Sequence, residues 1–232
     1  MVAQLPLGLA LKDSTTFSTF IPGPQREVIE ALQRCAQGRG EPFIYLAGAA
    51  GTGKTHLLQA LCHAAAQQRQ TTAYLPLHRF AEFNPAMLEG LEQVALVCVD
   101  DVHLVAGNSS WEQALFTLFN RSRELGHTLI VSATQKPAQL GFILPDLVSR
   151  LSWGVTYVLQ ALDDADKLTA LSRRAQARGF ELPDEVGRYL LSRLPRDMHA
   201  LFAVLDRLDE ASLAAQRRLT VPFIKAVLEA PE

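Results

Sequence analysis

The 232-residue sequence predicts an α/β domain with a mostly parallel five-stranded sheet flanked by helices, followed by a small all-helical subdomain. Three observations carry this. Up to about residue 160, short apolar runs of strand character alternate with longer segments of helical period, the pattern of a sheet whose crossovers are helices. Beyond residue 160 only the helical period continues. The run Leu96-Val-Cys-Val-Asp100 is nearly all apolar, as in parallel strands covered on both faces.

Each element follows in order. Residues 1–24 are irregular, broken by Pro6, Pro22, Gly23 and Pro24. From Gln25 to Gln37, Val28, Ile29, Leu32 and Cys35 share one helical face, and Gly38 and Gly40 end the helix. Phe43-Ile-Tyr-Leu-Ala47 is a buried strand before glycines, Thr55 to Gln68 a helix, and Thr72 to Leu75 a second strand. Leu96 to Asp100 is the third. Ser109 or Ser110 starts the next helix, with Glu112 and Gln113 three residues later at capping-box spacing, and Gly126 stops it. Leu129-Ile-Val-Ser132 and Val155 to Leu159 are strands four and five. Asp163 or Asp164 caps a helix ending at Gly179, and Pro183 opens another that ends near Leu194. Arg196 to Arg217 carries Met198, Leu201, Phe202, Leu205 and Leu208 at helical spacing, and Thr220 caps a last short helix with Pro222 in its first turn. The division expected is residues 1–15 as a flexible peptide, 16–160 as the α/β subdomain and 161–232 as the helical subdomain.

Composition narrows the function. With 48% hydrophobic and 20% charged residues, the chain buries a core large enough to fold without disulfides or metals. A net charge of −2 opposes a free-standing binder of DNA or RNA. Cys35, Cys62 and Cys98 are scattered, which suits a reducing compartment, and no zinc spacing is present. The N-terminus lacks a basic segment and reads as a poor signal peptide, and no run of about 18 apolar residues could span a membrane. The expectation is a soluble cytoplasmic protein.

Gly48-Ala-Ala-Gly-Thr-Gly-Lys-Thr55 matches GxxxxGK[ST], between a predicted strand and a predicted helix. In such a P-loop, Gly48, Gly51 and Gly53 let the backbone wrap phosphates, and the amides of the loop, Thr52 included, offer partial positive charge. Lys54 reaches the β- and γ-phosphates, and the Thr55 hydroxyl ligates Mg²⁺. Asp100 and Asp101 end the third strand, the Walker B position. Asp100 would hold Mg²⁺ directly or through water. Asp101 stands where many P-loop ATPases place a glutamate that activates the attacking water, but is one methylene shorter. Thr134, after the fourth strand, is a candidate γ-phosphate contact.

The motif set resembles the AAA+ domain of the bacterial initiator DnaA. Gly-Lys-Thr-His-Leu-Leu (53–58), Val-Asp-Asp (99–101) and Ser-Arg-Leu-Ser-Trp-Gly (149–154) carry that likeness. Gln4-Leu-Pro-Leu-Gly-Leu9 resembles the QLxLxL peptide that docks on the DNA polymerase sliding clamp. Leu-Pro-Asp-Leu (144–147), Arg-Gly-Phe-Glu-Leu-Pro (178–183), Ala-Gln-Arg-Arg-Leu-Thr (215–220) and Pro-Phe-Ile-Lys (222–225) are similar to the Hda family, regulatory inactivators of DnaA. The likeness spans about residues 12–232 and leaves no room for DnaA's helix-turn-helix domain. It implies an AAA+ P-loop fold with a helical lid, bound ADP (or ATP) with Mg²⁺, and a negative regulator of replication initiation. Such a protein binds the DNA-loaded clamp, the beta subunit of DNA polymerase III, and promotes hydrolysis of ATP held by DnaA.

The resemblance assigns roles by position. Arg150 falls at the arginine finger, which would act in trans on DnaA's ATP; a bland alternative is a surface pair with Asp146. Gln4, Leu5, Pro6, Leu7 and Leu9 would form the clamp peptide, an extended segment laying alternate side chains into a groove. Phe20 and Ile21 lie where the family approaches the adenine base, although plain packing of Phe17 and Phe20 explains them equally. On the lid, His199 occupies the sensor 2 position where an arginine is expected, and Arg196 is a possible substitute. His199 and Asp101 together imply weak or absent turnover of its own, with ADP as a structural ligand. A homo-oligomer is expected, with no membrane and no strong direct DNA contact. His103 and His127 are isolated, with no ligand-spaced partners, and Trp111 and Trp153 read as packing residues. The competing class is a helicase-loader-like ATPase that turns over ATP itself. An initiator remnant and a small-molecule P-loop kinase fit less well.

Overall fold

The computed structural model describes residues 15–195, 197–215 and 219–229. Contacts divide the chain into two compact units. The first ends at Gln160 and omits Ala50–Thr52; the second joins Ala50–Thr52 to the helices after Ala161.

In the first unit the order is α1 (Arg26–Ala36), β1 (Phe43–Ala47), α2 (Lys54–Gln67), β2 (Thr72–Pro76), β3 (Leu96–Asp100), α3 (Ser109–Glu124), β4 (Thr128–Ala133), α4 (Pro145–Leu151) and β5 (Val155–Val158). All strands are parallel, in the order β2-β3-β4-β1-β5. The strand period of two sorts the side chains into two cores. Phe43, Tyr45, Val97, Val99, Leu129 and Val131 face Trp111, Leu115, Leu118 and Phe119 of α3 and Leu147 and Leu151 of α4. Ile44, Leu46, Leu96, Cys98 and Ile130 face Val28, Ile29 and Leu32 of α1 and Leu57, Leu58 and Leu61 of α2. The apolar run of β3 is thus explained by burial on both faces. All three cysteines are free and buried, and burial pushes the Cys35 thiol up to about 11. They act as small core fillers.

Three local readings are corrected. The N-cap of α3 is Asn108, not Ser109 or Ser110: its side-chain oxygen accepts from the Trp111 amide at 3.3 Å, and the serines lie inside the first turn. Glu112 therefore closes no capping box. The short helix α4 and the 3-10 turns over Leu77–Glu82, Pro85–Leu88, Leu91–Gln93, Val102–Val105 and Pro137–Gln139 had no counterpart in the sequence pattern. Each is too short for a hydrophobic period to register.

Gly154 shows why the Trp-Gly step precedes β5. Its φ is +86°, and a Cβ there would stand 2.9 Å from the Phe43 carbonyl oxygen of β1. Backbone cannot yield as a side-chain tip would. Gly154→Ala is expected to lower stability by about 2–4 kcal/mol, from left-handed strain plus overpacking, read as a shift of the urea midpoint at constant slope.

The second unit contains α5 (Asp164–Ala177), α6 (Asp184–Arg193), α7 (Met198–Ala215) and α8 (Val221–Glu229). Leu171, Val186, Leu190, Leu201, Leu205, Leu208 and Ile224 are fully buried. Caps set its ends: Asp163 accepts from the Asp166 amide, Asp197 from Ala200, and the Thr220 hydroxyl from Phe223. Arg174 of α5 and Arg178, the residue just past its end, pair with Asp206 of α7, and Arg178 also with Asp209.

Candidate functional site

The carboxyl ends of β1, β3 and β4 lie side by side, the edge where open α/β sheets bind ligands. The P-loop leaves β1 there: the Gly48 amide donates to the Ala133 carbonyl at the end of β4 at 3.1 Å. Gly51 and Gly53 have φ of +76° and +92°. At Gly53 a side chain is also excluded by space, because a Cβ would lie 2.6 Å from Phe20 Cε2. Thr52 is buried, and α2 begins at Lys54 with its hydroxyl-bearing neighbour Thr55 exposed.

Lys54 is only 6% exposed. Its ammonium donates to the carbonyls of Gly48 at 2.7 Å and Ala49 at 3.0 Å, so the side chain folds back along the loop. Burial lowers its pKa, with the nearby charges of Asp101 and Asp100 acting in the opposite sense. A buried cation whose hydrogen bonds, among the described residues, go to neutral carbonyls gains from an arriving anion.

Asp100 is fully buried at the end of β3. One carboxylate oxygen accepts from the Ser132 hydroxyl of β4, the other from the Tyr74 hydroxyl of β2 at 2.8 Å. Ser132 Oγ in turn accepts from the Asp101 amide at 3.0 Å. The Walker B corner is thus pinned from both neighbouring strands. Burial, then the charge of Asp100, holds the Tyr74 phenol well above its ordinary range, so it remains a donor. Asp101 adopts a left-handed conformation, φ +61°. Burial and then Asp100 raise its pKa, offset by His103, Lys54 and His78. His103 Nδ1 lies 3.8 Å from an Asp101 oxygen, and burial pushes its pKa down. Thr134 is half-buried and directly follows Ala133.

Among the described residues no three His, Cys, Asp or Glu side chains converge. The donor set at this corner, one carboxylate already holding two hydroxyls and one threonine, suits Mg²⁺, which keeps several waters and phosphate oxygens as ligands.

Phe20 and Ile21 are each 7% exposed. Phe20 meets the His56 ring edge-on at 5.2 Å, and His56 Nε2 donates to the Thr16 carbonyl at 2.8 Å. The segment before α1 is therefore fastened to α2 beside the P-loop, and Phe20 and Phe17 pack on the α1–α2 core.

Arg150 sits in the last turn of α4, half-buried, its guanidinium carbon 5.9 Å from the centre of the Phe116 ring of α3. Its pairing with Asp146 is not formed among the described residues. Trp153 packs edge-on against Phe119 and lies under Arg123 at 4.3 Å. His127 Nδ1 donates to the Glu92 carbonyl. Gln4, Leu5, Pro6, Leu7, Leu9 and Arg196 lie outside the described residues, and of His199 only its place in the first turn of α7 is described.

Sequence reasoning missed Ser132, Tyr74, His56 and Glu112. Ser132 carried a usable signal, a polar residue in an otherwise apolar strand.

Among the described residues no helix is long and apolar enough to cross a membrane. Residues 11–158 match the bacterial DnaA ATPase domain, and residues 164–228 match the lid domain of Hda. Domain III of DnaA from Thermotoga maritima superposes with a TM-score of 0.83 at 21% identity, over 95% of this chain and 98% of that one. DnaA from Aquifex aeolicus bound to AMPPCP gives 0.71 at 25%, over 84% of this chain and 66% of that one. A RuvB branch-migration motor from Thermotoga maritima gives 0.66 at 16%, over 88% and 68%. These likenesses and the lid match show an AAA+ fold with a C-terminal helical lid in this chain. A sheet of this topology, the P-loop and Walker B corner built on it, and a family match over most of the chain make this a DnaA-related AAA+ replication protein, a member of the bacterial DnaA ATPase-domain family.

Proposed function

We propose that this chain is a negative regulator of replication initiation that drives DnaA from its ATP form to its ADP form. It holds ADP and Mg²⁺ at its own P-loop as structural ligands, docks on the DNA-loaded sliding clamp through Gln4, Leu5, Pro6, Leu7 and Leu9, and supplies Arg150 to ATP bound by DnaA. The observation that carries this reading is the setting of Arg150: a half-buried guanidinium at the end of α4, resting on Phe116 and without the Asp146 pair that a purely local role would give it. A guanidinium remains charged at any working pH and can fork onto phosphate oxygens as charge develops there.

In its own site the chain's residues have separate tasks. Lys54 would exchange the loop carbonyls for phosphate oxygens. Asp100, with both oxygens already accepting hydroxyls, would hold Mg²⁺ through water, and Thr55 would ligate it. Mg²⁺, when bound, supplies neutralisation of phosphate charge. Phe20 and Ile21 would border the base, Thr134 the terminal phosphate, and His199 or Arg196 the lid side. Asp101 could serve as a weak base; its strained backbone and short side chain favour a retained product over rapid turnover.

The test is single-turnover hydrolysis of ATP pre-bound to DnaA, with this protein and DNA-loaded clamp added. Acceleration that requires the clamp is expected. No acceleration by folded, ADP-loaded protein would favour the loader-like ATPase, whose mark is steady turnover by this chain alone. Gln4→Ala is expected to weaken clamp binding at least about tenfold, because one amide and its pocket carry the polar recognition, and to abolish acceleration at limiting protein; surface plasmon resonance on immobilised clamp measures it.

A further inference from the structure

A carboxylate at the start of α3 reaches to the front of α4. Glu112 is fully buried, yet among the described residues it forms no ion pair. Its Oε1 accepts from the Gly107 amide at 2.7 Å and the Ile143 amide at 3.2 Å. Its Oε2 accepts from Ile143 at 2.9 Å and Leu144 at 2.7 Å. Three backbone donors thus replace the water that the charge has lost, which is what lets a carboxylate remain in such a place.

The donors come from two segments. Gly107 belongs to the turn before α3, whereas Ile143 and Leu144 are the last two residues before α4, Leu144 being its N-cap. Leu147 and Leu151 hold the underside of α4 in the core. Glu112 adds directional hydrogen bonds that fix the chain where the helix starts. Six residues later, on the same short rod, stands Arg150.

We infer that Glu112 is a positioning residue for Arg150: it sets the height of α4 and so where the guanidinium arrives at a partner's nucleotide. This rests on the arginine role proposed above. It adds that the reach of the arginine is fixed from α3, by a buried charge that touches neither nucleotide nor partner.

The experiment is the same single-turnover assay, run at saturating protein with Glu112→Gln, Glu112→Asp, Arg150→Ala and Glu112→Gln/Arg150→Ala. Glutamine keeps the shape but turns an amide NH₂ toward one of the donor sets. Aspartate keeps the charge and is too short to reach both. Each is expected to slow hydrolysis roughly 10- to 100-fold, the scale of an ångström-level misplacement. ADP affinity of the chain's own site and the half-saturating concentration should change less than about twofold, since neither depends on α4 height. The double variant should be no slower than Arg150→Ala alone, because both act through one group. Hydrogen exchange at the Ile143 and Leu144 amides should quicken in Glu112→Gln and Glu112→Asp, and not in Arg150→Ala.

Full activity in Glu112→Gln and Glu112→Asp, with Arg150→Ala inactive, overturns the assignment alone. Additive losses in the double variant also overturn it, since a merely structural residue would subtract independently. Full activity in Arg150→Ala overturns the arginine role and this inference with it.

Discussion

Arg150→Ala should slow clamp-dependent hydrolysis of DnaA-bound ATP by roughly 10³–10⁵-fold, the range over which an arginine supplied in trans acts on phosphoryl transfer. With no acid partner among the described residues, Arg150 gives up little to engage a phosphate; the Phe116 ring beneath it guides it without neutralising it. Binding to clamp and to ADP should survive, because Arg150 takes part in neither in the proposed scheme. Arg150→Lys is expected to recover little, a point charge being a poor substitute for a planar fork. The measurement is the single-turnover rate constant at saturating protein. A loss below tenfold in Arg150→Ala would remove the arginine from the chemistry and leave it an ordinary cover for Phe116.

Lys54→Ala should weaken ADP binding by roughly 10²–10³-fold, as two charge-assisted hydrogen bonds at about 1.5–3 kcal/mol each allow after overlap between them. The direction for the ligand-free protein is different. There the ammonium is buried against two carbonyls, and burial disfavours its charged form. Removing it should leave the ligand-free unfolding midpoint close to that of the parent. What is mostly lost is the rise on adding nucleotide, which falls from about 4 kcal/mol, when ligand stands 1,000-fold above the parent's dissociation constant, to about 1 kcal/mol or less. Calorimetric titration and thermal melts with and without ADP measure both. A melt that falls equally with and without ADP would mean that Lys54 is structural.

The parts of this molecule that were legible in the sequence are those that local chemistry decides. Strands β1 and β3 have the bounds their apolar runs gave, and Asp163 and Thr220 cap the helices expected of them. The P-loop was readable because its glycines, Lys54 and Thr55 fall within eight consecutive residues between a strand and a helix. What escaped depends on register between strands or on contacts across the fold. That Ser132 and Tyr74 grip Asp100 follows only once β2, β3 and β4 lie parallel in that order. Helix α4 has seven residues, two turns, too few to show a period. Glu112 had the spacing of a capping residue, and two of its three donors, Ile143 and Leu144, lie more than 30 positions along the chain. Asn108 won the cap because it is as good an acceptor as serine and comes one turn position earlier.

The place of β1 in the sheet also governs how the protein is made. Phe43 pairs with Leu129, and Ile44 with Val155, about 86 and 111 residues further along. At roughly 5–20 residues per second, the strand that leads into the P-loop emerges from the ribosome several seconds before either neighbour exists. During that interval its five consecutive apolar residues lack a sheet, and helices α1 and α2 can shield only one of its faces. The nascent chain should therefore depend on a holding chaperone until residue 155 has emerged, read as chaperone crosslinking to stalled chains that is lost once β4 and β5 are present.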